Sequence, residues 1–138
     1  MRRVQIVSED FVFEAVPEFE KAPRTVKWFT RQLPFSSKVI HARWSGESVW
    51  IPLGDLSTDL ALENNTAFPS IGEILFYPGG ISETEILLPY GSAAFASKAG
   101  TISGNHFLTI VLGNERLVEF GRRILWGGAL DIEFTSID

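Results

Sequence analysis

The chain contains no cysteine. That excludes disulfide bonds, thiolate metal sites and a cysteine nucleophile. It also lacks a surplus of positive charge: twelve lysines and arginines stand against seventeen acidic residues, for a net charge of −5. Phosphate backbones and anionic lipid surfaces both require a basic face, so neither nucleic acid nor a membrane is expected as a partner. There is no long apolar run. The start, Met1-Arg2-Arg3-Val4-Gln5-Ile6-Val7, has basic residues but not the apolar stretch of a signal peptide, and no segment reaches the ~20 apolar residues of a membrane span. The expected compartment is the cytoplasm. With only two histidines, His41 and His106, and no close His spacing, a metal centre is not expected. No Gly-x-Gly-x-x-Gly or Walker loop and no nucleophile elbow is present. No cofactor is expected.

What is present suits one domain over residues 1–138. Apolar residues make up 45% and charged residues 21% of the chain, and a chain of this size buries roughly 68% of its unfolded surface. The dominant signal is alternation with period two. Val4, Ile6, Phe11 and Phe13 suggest two strands around an acidic turn at Glu9-Asp10. Residues 23 to 33 predict a helix: Pro23 suits a first turn, and Val26, Phe29 and Leu33 form one stripe. Residues 37 to 53 predict a hairpin turning on Gly46-Glu47. In that register Ile40, Ala42 and Trp44 share the inward face with Val49, Ile51 and Leu53, and Arg43 faces Trp50 on the outside with His41. Further strands are expected at residues 73–77, 84–88, 106–112 and 130–134. A second helix is expected after a cap at Asn114, with a stripe of Leu117, Phe120, Gly121, Ile124 and Leu125. The stretch from Tyr90 to Gly104 predicts a long loop, and long ordered loops often carry function. About eight short strands and two helices are best accommodated by a closed barrel, mainly β, with a helix over each mouth.

Three stretches resemble a bacterial family of uncharacterised proteins with a cyclophilin-like barrel. They are Ala42-Arg43-Trp44-Ser45-Gly46-Glu47, Gly72 to Gly80 with its sequel through Leu88-Pro89-Tyr90-Gly91, and Ser103-Gly104-Asn105-His106-Phe107. The likeness runs from about Val39 to Gly128. It implies a closed cyclophilin-like barrel and no particular activity. Arg43 lies near where the resemblance places the catalytic arginine of true cyclophilins. Their glutamine has no counterpart, since Gln5 and Gln32 lie elsewhere in the chain, and prolyl isomerisation is the less favoured reading.

Five side chains are candidates for binding a ligand on the barrel exterior: Arg43, Trp50, Tyr77, Tyr90 and His106. A guanidinium beside an indole can grip a carboxylate or stack on a flat amide, although such a pair is also an ordinary cross-strand contact. The tyrosines flank Pro-Gly turns, where the ring usually packs and the hydroxyl meets water. His106 titrates near neutrality when unperturbed, but also suits bonding to loop backbone. Glu83 and Glu85, two apart, share a strand face and can divide acid and base roles; the ordinary state of such glutamates is solvated. The expected function is binding of a small carboxylate- or amide-containing molecule. A protein-interaction module, with Arg43 and Trp50 as its hot spot, is the alternative, and a homo-oligomer is compatible with either.

Overall fold

The computed structural model describes residues 2–138; Met1, and with it the first residue of the domain and leader readings above, lies outside the described residues. Among the described residues eleven strands and two α-helices follow one another: β1 (Arg3–Ser8), β2 (Phe11–Pro17), α1 (Pro23–Thr30), β3 (Phe35–His41), β4 (Ser48–Pro52), β5 (Asn65–Thr66), β6 (Glu73–Tyr77), β7 (Glu85–Pro89), β8 (Ala96–Ser97), β9 (Gly100–Thr101), β10 (Gly104–Leu112), α2 (Leu117–Gly127) and β11 (Leu130–Ile137). Eight of the strands form an antiparallel barrel in the order β2-β1-β11-β3-β4-β7-β6-β10, which closes because β10 pairs with β2. Closure leaves no bare sheet edge. The short β5 extends β10, and β8 and β9 form a separate ribbon.

The alternation in the sequence becomes the inside of the barrel. Val4, Ile6, Phe11, Phe13, Ala15, Val49, Ile51, Ile74, Ile86, Ile132 and Phe134 are buried in one core. Helix α1 closes the end where β2 leaves the barrel: Phe29 packs edge-on against Phe107 and Phe134, with ring centres 5.1 and 5.4 Å apart. Helix α2 closes the opposite end, where β10 leaves, and sets Phe120 against Phe11 and Phe13 at 5.1 and 5.4 Å. Each such ring pair adds about 0.5–1.5 kcal/mol beyond area burial. The second helix differs in its entry. Asn114 does not cap it; its amide donates to the Ile110 carbonyl, and a short 3₁₀ turn leads in instead.

A second, smaller core lies outside the barrel. Leu75, Tyr77 and Leu87 point outward from β6 and β7, and the segment 91–104 folds over them with Phe95 and Ile102. Trp50 packs at its margin. The cover lies so close that a Cβ on Gly104 would stand 2.8 Å from the Phe95 ring and 3.0 Å from Leu75. Only glycine permits that approach.

The β3–β4 hairpin does not form on the two-residue turn. Ile40 pairs with Trp50 and His41 with Val49, so Ala42 to Glu47 becomes a six-residue loop. The changed register turns Ile40 outward beside Trp50 and turns His41 toward Tyr90, reversing the expected faces of both. The reason is non-local. Glu47 donates its N–H to the Ser92 carbonyl at 2.9 Å and accepts from the amides of Tyr90 and Gly91 at 2.9 and 3.1 Å. Its carboxylate accepts the Ser92 N–H at 2.9 Å, and Ser45 exchanges hydrogen bonds with the backbone of Ala96 at 3.1 Å. These bonds to the covering segment outweigh a local turn.

Candidate functional site

The covering segment, the β3–β4 loop and the outer face of β4 and β7 enclose a cavity of about 320 Å³. Ligand pockets typically begin at about that volume. A broader depression of about 590 Å³ borders it across Ser82 and Glu83, but it is shallow and lined by turn residues such as Gly54, Pro78 and Gly79.

Four polar groups give the cavity its character. Arg43 comes from the β3–β4 loop and Lys98 from the tip of the β8–β9 ribbon. Both are exposed, and neither makes an ion pair or side-chain hydrogen bond among the described residues. The guanidinium of Arg43 stands 6.0 Å from the Trp44 ring centre, the outer limit of a cation–π contact. Trp50 presents its indole from β4. Its Nε1–H is buried without a hydrogen-bond partner, which costs about 1–3 kcal/mol. Glu85 stands opposite Pro52 in the register and diagonally from Trp50 on the same face. It is only 7% exposed, and its carboxyl has no hydrogen-bond partner among the described residues. Burial, reinforced by the neighbouring charge of Glu83, pushes its pKa up to about 8. At neutral pH this carboxyl is mostly a neutral acid.

The structure thus brings Arg43 and Trp50 to one cavity, although not as a cross-strand pair. The other three candidates lie elsewhere. Tyr77 is buried in the outer core, and its hydroxyl accepts the amides of Ile81 and Ser82 at 3.0 and 3.4 Å, fixing the turn that carries Ser82 and Glu83 to the cavity rim. Tyr90 points toward α2; its hydroxyl donates to His41 Nε2 at 2.8 Å, while His41 Nδ1–H donates to the Ala42 carbonyl at 2.9 Å. Burial, with Glu47 nearby, holds the Tyr90 phenol above its usual range against the opposing effect of Arg122. Neither tyrosine hydroxyl is left to water as the sequence suggested. His106 belongs to a third place on the barrel. Its Nε2–H donates to Thr109 Oγ1 at 2.6 Å, Thr109 donates to Glu18 at 2.7 Å, and Nδ1 lies 3.8 Å from Glu73.

Sequence reasoning undervalued Glu85 and did not count Lys98 among the ligand-binding candidates. An alternating strand marks Glu85 as outward-facing, and outward ordinarily means wet. The 91–104 segment, which has no pattern of its own, covers the neighbouring Leu75, Tyr77 and Leu87 on that face. No cluster of histidines and carboxylates among the described residues has the form of a metal site. No helix among them is long and apolar enough to cross a membrane.

Comparison with known proteins adds the following. A family model described as "Protein of unknown function (DUF3830)" matches residues 4–136. No curated protein matches by sequence. A solved structure of McbB in complex with tryptophan is similar at a TM-score of 0.73 and 16% identity, over 98% of this chain and 46% of that one. This chain therefore spans less than half of that protein. The solution structure of the hypothetical protein AF2241 from Archaeoglobus fulgidus is similar at 0.65 and 17% identity, over 99% of this chain and 95% of that one. Likeness at these identities establishes the fold.

Proposed function

The chain belongs to the DUF3830 family of proteins of unknown function, and from that premise we propose that it binds a small molecule bearing a carboxylate or amide group in the cavity between Arg43, Trp50, Glu85 and Lys98. One observation carries this reading. Two exposed cations, a buried carboxyl and an indole ring line one cavity, and none has an ion-pair or hydrogen-bond partner among the described residues. The exposed cations are solvated, but the buried Glu85 carboxyl is left without a partner among the described residues, and a buried polar group in that state calls for an explanation. A ligand supplies it: Arg43 and Lys98 meet an oxygen anion or carbonyl, and the faces of Trp50 and Trp44 take a flat ring. That McbB is known in complex with tryptophan, a carboxylate with a ring, supports the choice by analogy of fold alone.

The concavity favours this reading over a protein-interaction module, which a flat Arg43/Trp50 face would have suited better. Prolyl isomerisation is the weaker alternative, because no glutamine lines the cavity. We retain the cyclophilin-like assignment, the bacterial source, the single domain over residues 1–138 and the cytoplasmic setting as parts of the same reading. The test is an NMR titration with benzoate, benzamide and L-tryptophan. Shifts centred on the Trp50 indole and on Ala96 to Lys98, lost in Arg43→Ala, are expected. Shifts confined to other surfaces, or a response unchanged in Arg43→Ala, would sink the proposal.

A further inference from the structure

Within that cavity the carboxyl of Glu85 is the group hardest to account for by folding alone. It is 7% exposed, unpartnered, and open to the cavity it lines. Among the described residues no cation is paired with it. The surrounding elements offer an indole and a proline from β4, a guanidinium from the β3–β4 loop, an ammonium from the β8–β9 ribbon and a like charge from Glu83. Arg43, Lys98 and Glu83 are exposed and solvated, whereas Glu85 is not. An amide ligand can bond to Glu85 in either of its protonation states, by its oxygen or its N–H. A carboxylate ligand can bond to it only when Glu85 carries a proton, because two bare carboxylates in a dry site repel.

We propose that Glu85 meets the ligand as a neutral carboxylic acid that donates its proton in a hydrogen bond to a ligand carboxylate, so that this cavity selects small monocarboxylates and retains or takes up one proton with each. This inference rests on the reading of the cavity given above and narrows it to one ligand class. The ligand carboxylate lies between the acid and the two cations, accepting an O–H···O⁻ bond from one side and charge-assisted N–H bonds from the other. Bonds of this kind are the strong ones. The proton stays on Glu85 or is shared with the ligand, and no covalent bond changes. Because the raised pKa of Glu85 lies near 8, free Glu85 is already mostly protonated at neutral pH. Uptake on binding is therefore expected chiefly in mildly alkaline solution.

The experiment follows the ¹³C resonance of the Glu85 side-chain carboxyl through pH in the intact protein, alone and with benzoate or benzamide. Benzoate is expected to raise the midpoint of that titration. Its affinity is expected to fall about tenfold per pH unit above the free midpoint, whereas benzamide moves neither quantity. Glu85→Gln is expected to bind benzoate with no such pH dependence; should that variant not fold, the wild-type titration decides alone. Binding of benzoate at the cavity with an unmoved Glu85 midpoint and a flat pH profile overturns this inference and leaves the proposed function standing. Equal behaviour of benzoate and benzamide overturns it as well. If neither probe reaches the cavity, the proposed function falls and the selectivity falls with it.

Discussion

Asn105 and Glu85 are both buried polar side chains on the barrel wall, and they are treated in opposite ways. Asn105 is fully buried and fully used. Its amide donates to Thr25 and to the Ala61 carbonyl at 3.1 and 3.0 Å, and its carbonyl accepts the Glu63 N–H at 2.9 Å. Glu63 in turn accepts the amide and hydroxyl of Thr25, both at 2.7 Å. The network ties α1 and the long 54–66 stretch to β10. Glu85, on the far side of the sheet, is bonded to nothing among the described residues. The arginines show the same contrast. Arg116 and Arg123 lie over the Phe11 ring at 4.3 and 4.6 Å and are held by Glu9, Asp10 and Glu119; Arg116 keeps the Asp10 carboxyl below its ordinary range. Among the described residues Arg43 has only an adjacent indole. One region has its polar groups closed on one another, and the other has them open to a cavity.

The contrast can be tested most severely at Glu85. Its folded-state pKa is raised, so the folded chain holds this proton to higher pH than the unfolded one does. Stability should therefore be greatest below the unfolded value near 4.5 and decline as pH rises toward about 8. The loss attributable to this group is on the order of 4 kcal/mol. Urea unfolding of the wild type at successive pH values should show that decline, and Glu85→Gln should flatten it. A wild-type curve with no decline would mean that Glu85 is better solvated than the structure has it.

Next in size is Asn105→Ala. It strands the Ala61 carbonyl and the Glu63 amide, takes one donor from the Thr25 hydroxyl, and should cost about 3 kcal/mol by the same unfolding measurement. It should leave benzoate binding intact if the two regions are independent. Trp50→Phe removes an orphaned donor while keeping most of the ring, so it should be neutral or stabilising by about 1 kcal/mol. A clear loss of stability would show that the indole N–H has a partner in solution, such as an ordered water. Smallest is the comparison of the arginines. Arg43→Ala should leave the thermal midpoint unchanged and weaken ligand binding, whereas Arg116→Ala should lower the midpoint in a salt-dependent way without touching the cavity. Reversal of those two outcomes would erase the distinction between the regions.

The fold was legible for a physical reason. Val4 with Ile6, Phe11 with Phe13 and Ile132 with Phe134 alternate because each strand has one dry face, and that alternation is local information. The helical stripes Val26–Phe29 and Leu117–Phe120–Ile124 are local in the same way. The site was only partly legible. Arg43 and Trp50 were found by residue type, and they share a cavity although the hairpin geometry used to pair them was wrong. Gly46 does adopt a positive φ of 73°, as a turn glycine should, but Glu47 and Ser45 are claimed by Ser92 and Ala96 from across the cavity. Tyr77, Tyr90 and His106 were chosen for chemistry that the structure applies to holding turns, a helix contact and a surface cluster.

The amino-acid order on its own was enough to specify short two-faced strands, two one-sided helices and their closure into a barrel. Each of these follows from spacing along a few residues and from the need to bury one face. Which outward residues became dry was decided in three dimensions. The patternless 91–104 segment lies down on β6 and β7, draws the β3–β4 loop into a new register and walls, with Glu85, one cavity. Those contacts join residues some 50 positions apart in sequence, and no local period encodes them.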